Sequence, residues 1–243
     1  CFNKSHLPVQ GLPFNVRMDL DVIKALYRSQ FEAIENSDKL FPPNNAGWYR
    51  YLANSLESPD GFAESPLTIV TFNYDRSLEA YLHQVLIHRF KLTEERATSI
   101  LRQMQIIHPH GILGEYPEVP YCSDSNGEAL AMISRGIKVI FEIEDGADGF
   151  CSDEFRAASK ALHNAERIYL LGFGFHDDNV RRLNFFSPTA LDGKEIAVTV
   201  NGLGPRPRSS LATRLSKYGF SEATFCQEWL TANEFFNHRG TLD

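Results

Sequence analysis

From residue 67 onward, short apolar runs alternate with amphipathic stretches, and that alternation constrains the fold more than any other feature. The strand candidates are 67–73, 105–108, 137–143, 167–173, 195–200 and 223–227. Between them lie helical patterns at 77–90, 93–104, 128–136, 152–165, 177–184 and 209–219. Strands that take turns with helices imply a mostly parallel sheet with helices on both faces, an α/β architecture. The near-continuous runs "LTIV" (67–70) and "IYLL" (168–171) suit inner strands buried on both sides.

Upstream the pattern changes. Residues 18–37 put Leu20, Ile23, Leu26, Tyr27, Phe31 and Ile34 on one helical face. "FPPNNAG" (41–47) breaks the chain, 48–56 reads as a shorter helix, and "ESPDGFAESP" (57–66) reads as a turn-rich link. Residues 1–66 are therefore expected to form a helical cover on a sheet domain spanning 67–243. A length of 243 residues suits the two as one domain. The long irregular stretch 112–127 is expected to lie over the strand ends, and 202–209 to be an exposed Gly/Pro/Arg loop.

Composition narrows the partners. A formal charge of −7 gives no basic face for nucleic acid. No apolar run approaches the roughly 18 residues of a membrane span, and no basic-then-apolar amino terminus suggests a signal peptide. Cys1, Cys122, Cys151 and Cys226 are scattered without a C-x-x-C pair, so neither a structural zinc site nor a disulfide framework is expected. These features fit reduced thiols in a cytoplasmic protein.

Three strand candidates end in polar or glycine-rich segments: Asn73 and Asp75 after the first, His110-Gly111 after the second, and "GFGFHDD" (172–178) after the fourth. In a parallel sheet all three emerge on the carboxyl rim, where open α/β sheets bind ligands. Each also has a plainer reading. Asp75 is placed to cap the following helix, Asn73 to be a satisfied strand-end amide, His110 to be a turn residue, and Asp177 or Asp178 to be an N-cap. "G-F-G" lacks the third glycine of a dinucleotide fingerprint. "H-P-H" (108–110) with "HDD" invites a metal reading, but Pro109 sits poorly in a ligand-bearing strand, and no metal is expected.

Taken in order, "TFNYDRSLE", "HPHG", "YLLGFGFHDDNVRRL" and "VTVNG" resemble the motifs of the sirtuin-like family, in particular its bacterial NAD-hydrolysing branch. The resemblance covers roughly residues 67–201 and implies a Rossmann-like fold with NAD as substrate. It implies Asn73 and His110 as catalytic residues. Thr71, Asp75, Gly111, Gly172, Gly174, Phe175, Asp177 and Asn201 would contact the dinucleotide. Cleaving nicotinamide from ribose passes through an oxocarbenium-like state that needs positioned groups more than a strong nucleophile. An amide at Asn73 can hold a water or the ribose hydroxyls, and an imidazole at His110 can orient a hydroxyl or take its proton. Relatives commonly serve as effectors of bacterial defence against phage, which implies a homo-oligomer or a fused or partner sensor domain.

Two departures from the family pattern stand out. The Gly-Ala-Gly-x-Ser loop that cradles pyrophosphate at a helix N-terminus is missing from the 243 residues, and "VQGLPF" (9–14) suggests that it lies just upstream of Cys1. The paired C-x-x-C zinc ribbon of protein deacylases is also missing. NAD hydrolysis is therefore expected ahead of deacylation or ADP-ribosyl transfer, with a non-catalytic NAD- or ADP-ribose-binding module as the alternative.

Overall fold

A computed structural model describes residues 35, 40–41, 47–121, 152–185, 187, 193–199, 213, 225–228 and 231–239. Among these residues the elements run α1 (Trp48–Ser55), α2 (Pro59–Glu64), β1 (Thr68–Val70), α3 (Ser77–Phe90), α4 (Glu94–Leu101) and β2 (Gln105–Ile107). They continue with α5 (Asp153–Asn164), β3 (Arg167–Leu170), α6 (Asp177–Arg182), β4 (Glu195–Thr199), β5 (Phe225–Glu228) and α7 (Ala232–Arg239). Every described strand pairing is parallel. β1 aligns with β2 through Thr68↔Gln105 and Val70↔Ile107, and β3, β4 and β5 form a second group in that order.

The strand period explains how β1 and β2 are buried. Ile69 and Ile106 pack against one apolar cluster, built from Leu52 and Ala53 of α1, Phe62 of α2, Leu82 and Leu86 of α3, and Ile100 of α4. Val70 and Ile107, one residue on and therefore on the opposite side, pack against a second cluster. That cluster holds Phe155 and Ala158 of α5, Ile168 of β3, Val180 of α6, and Ile196 and Val198 of β4. The two-strand ribbon is thus covered on both faces, as its apolar run demands. Phe62 and Phe155 are fully buried, each contributing roughly 1.5–3 kcal/mol of apolar burial.

Several helix starts follow from local chemistry. Ser58, Thr93 and Ser152 each accept a backbone N–H through the side-chain oxygen at the start of α2, α4 and α5. At the other end of α5, the ammonium of Lys194 donates to the carbonyls of Leu162, His163 and Ala165, closing orphan acceptors of the last turn.

Helix α3 has the bounds read from the sequence, and α1, α4, α5 and α6 are one to three residues shorter at one or both ends. Strands β1 to β4 lie within their candidate runs at three to five residues, and β5 ends one residue beyond the candidate 223–227. Two helices depart from expectation: α2 occupies the supposed turn-rich link, and α7 follows the last strand. The candidate strand 137–143, the helices at 128–136 and most of 18–37 and 209–219, the loop 202–209, Asn201, Cys1, Cys122 and Cys151 lie outside the described residues.

Candidate functional site

The segment after β1 is shaped by its own side chains. Thr71 extends the ladder, its N–H donating to the Ile107 carbonyl at 2.9 Å, and its Oγ1 accepts the Asn73 N–H at 3.2 Å. Asp75 Oδ1 then accepts the Ser77 N–H at 3.1 Å. Asp75 thereby satisfies a helix-start donor of α3 from the position before the cap, which is Arg76. Asn73 is exposed, whereas Phe72 and Tyr74 on either side of it turn to the interior and contact His110.

Arg76 is the deepest charge in the segment. Its side chain is 2% exposed, and Nε and Nη2 donate to the two oxygens of Glu35 at 2.9 and 2.7 Å. Nη1 donates to the Val119 carbonyl at 2.5 Å and Nη2 to that of Pro120 at 3.2 Å. This forked pairing lets a guanidinium sit in a core, because each of its three nitrogens gains an acceptor. It fixes the start of α3 against the loop that follows β2.

At the end of β2 the chain turns sharply, the Gly111 N–H donating to the His108 carbonyl at 2.9 Å with Gly111 at φ +89°. His108, Pro109 and His110 are all buried. His108 Nδ1 lies 2.9 Å from the carbonyl oxygen of Asn73, and its Nε2 lies 2.6 Å from Glu79 Oε1 on α3. His110 points toward α6. Its Nε2 is hydrogen-bonded to Asn179 Oδ1 at 3.0 Å, and its ring lies 5.6 Å from Phe72, 6.3 Å from Tyr74 and 5.3 Å from Phe155.

The segment after β3 completes the edge. Gly172 takes φ +64°, and its N–H donates to Thr199 Oγ1 of β4 at 2.9 Å. Phe173 packs on Phe72 at 5.3 Å and on Phe175 at 4.8 Å. Phe175 itself holds φ +50°, a region that costs a residue with a side chain about 1–2 kcal/mol. Gly174 is exposed, and so are Asp177 and Asp178, which supply the negative charge at the start of α6.

Burial and neighbouring charge perturb two groups here, His108 and Tyr49. Burial alone would lower the His108 pKa, but the hydrogen bond and charge of Glu79, the Asn73 carbonyl and the charge of Asp75 together raise it above the usual imidazole value. Burial, then the nearby charges of Asp75 and Glu79, hold the Tyr49 phenol protonated far above its ordinary range.

The described residues therefore join the three motif segments: the first to the second through His108 and the Phe72 and Tyr74 rings, the second to the third through His110 and Asn179. Thr71, Asn73, Asp75, Gly111, Gly172, Gly174 and Phe175 lie in these strand-end segments, and Asp177 opens α6. Arg76, Glu79 and Asn179, to which sequence reasoning gives no site role, complete the arrangement together with His108, which it weighs only as a metal ligand. Asn179 and Glu79 each sit one helical turn inside a motif, so only the fold reveals where they point. Comparison with protein-family models, curated proteins and solved structures returns no match.

Proposed function

We propose that this chain is a sirtuin-like NAD+ glycohydrolase domain on a Rossmann-like sheet, releasing nicotinamide and ADP-ribose. The hydrogen bond between His110 and Asn179 carries the reading, because it joins the His-Gly turn to the glycine-rich segment that would flank the nucleoside. In this reading the amide oxygen of Asn179 accepts from Nε2 of His110, which holds the imidazole in one orientation at the strand ends. The exposed amide of Asn73 serves as the group that holds the attacking water or the ribose hydroxyls.

In the reaction the bond between the ribose anomeric carbon and the nicotinamide nitrogen breaks. The electron pair leaves with the ring nitrogen and cancels its positive charge, so no acid is needed at the leaving group. Water bonds to the anomeric carbon, and its proton passes to His110 or to solvent. Thr71, Asp75, Gly111, Gly172, Gly174, Phe175, Asp177 and Asn201 are the further contacts to the dinucleotide in this reading, with no metal. Its setting would be cytoplasmic antiviral defence, as a homo-oligomer or alongside a sensor domain.

One observation favours a second reading. His110 is 5% exposed and already engaged with Asn179, as suits a module that holds NAD or ADP-ribose without cleaving it. Incubation with NAD+ and chromatographic detection of nicotinamide separates the possibilities. Turnover that ignores acyl-lysine peptide and disappears in Asn73→Ala supports the glycohydrolase. Binding without turnover supports the module, peptide-dependent turnover supports a deacylase, and neither binding nor turnover ends the NAD assignment.

A further inference from the structure

The imidazole of His108 has no part in the chemistry above, yet it touches the residue that does. Asn73's carbonyl can only accept, so the Nδ1 that lies 2.9 Å from it carries a proton. The opposite nitrogen, Nε2, lies 2.6 Å from Glu79 Oε1, so a second proton sits between ring and carboxylate. The other oxygen of that carboxylate, Oε2, is buried and makes no hydrogen bond among the described residues. The imidazole is therefore the group placed to neutralise Glu79, as a buried carboxylate requires.

We propose that His108 and Glu79 form a proton-sharing pair that positions Asn73 by fixing its backbone carbonyl, leaving its side-chain amide presented at the strand edge. The assignment of Asn73 as the working amide rests on the glycohydrolase reading; the proton-sharing pair stands on its own geometry. The charged and titratable groups facing the pair are Asp75 from the segment before α3 and the protonated Tyr49 phenol from α1. His108 is thus a positioning residue, acting on the substrate through Asn73.

Three variants test the pair. His108→Ala removes both hydrogen bonds. His108→Asn puts an amide nitrogen near the position of Nδ1 and keeps the donor to Asn73 while dropping Glu79. Glu79→Gln donates to Nε2 and keeps Nδ1–H on the carbonyl. In His108→Ala, kcat for nicotinamide release falls roughly 10²-fold, the cost of misplacing a reacting group by about 1 Å, with KM little changed. His108→Asn and Glu79→Gln recover most of it. In parallel, the Asn73 carbonyl carbon resonance moves in His108→Ala and stays in place in His108→Asn, and spectra of nitrogen-labelled histidine show Nδ1 of His108 protonated in the wild type. An unprotonated Nδ1, or an Asn73 resonance indifferent to His108→Ala, overturns the proposal. A wild type that releases no nicotinamide overturns the glycohydrolase reading instead, and the resonances still decide the pair.

Discussion

His110 and Asn179 lie 69 positions apart in the chain, and their side chains meet at 3.0 Å between the turn after β2 and the first turns of α6. The contact orients the ring. Asn179→Asp would put a carboxylate against the imidazole and favour its charged form. If His110 accepts a proton, the acid limb of the rate profile moves to higher pH. A profile of nicotinamide release across pH, compared with wild type, checks it.

The ion pair of Arg76 with Glu35 is buried at both ends, 2% and 5% exposed. Arg76→Met would strand a carboxylate and is expected to destabilise the fold by about 3–5 kcal/mol. Adding Glu35→Gln should recover a large part, since the stranded charge goes with it. Denaturant midpoints of the single and double variants measure the difference.

Two buried histidines impose opposite pH slopes on stability. Burial lowers the His83 pKa, only partly offset by a backbone hydrogen bond and charge at Glu94, and the ring bonds the Tyr116 and Thr98 hydroxyls as a neutral group. Its stabilisation is full above the unfolded value of about 6.5 and is lost as pH falls through the folded value. The pKa of His108 is raised in the fold, so its contribution is full below about 6.5 and is lost as pH rises through the folded value. Urea titrations across pH should show His83→Gln flattening the acid side and Glu79→Gln flattening the alkaline side.

Gly114 and Gly172 both hold positive φ, +83° and +64°, but in different surroundings. A Cβ at Gly172 meets nothing within 4 Å, so Gly172→Ala should cost only the backbone term, about 1–2 kcal/mol. At Gly114 it would lie 2.7 Å from Val119 Cγ2, and the Val119 carbonyl is held by Arg76. Gly114→Ala should therefore cost roughly 1–3 kcal/mol more. Thermal melts of the two variants rank them.

The alternation of strands and helices was legible because burial on both faces leaves unbroken apolar runs, as in Leu67–Val70. α2 was missed because Pro59, Asp60 and Gly61 read as a turn; the usable signal was Ser58 followed by proline, an N-cap with a first-turn Pro. α7 was missed although Thr231 and Glu234 spell a capping box, which the structure forms with reciprocal bonds of 2.8 and 3.3 Å. Within the site, the polar segments at the strand ends could be read, since polar residues after apolar runs are conspicuous. Partners such as Glu79 for His108 or Glu35 for Arg76 could not, because each pairing depends on how a helix or a distant segment docks.

Because one guanidinium grips Glu35, Val119 and Pro120 at once, Glu35, the start of α3 and the loop after β2 share one buried fastening beside the bonds of Ser77 to Tyr121 and of Leu113 to Tyr74. When Arg76 lets go, amide exchange at the start of α3 and in the loop after β2 should rise together, as one opening unit.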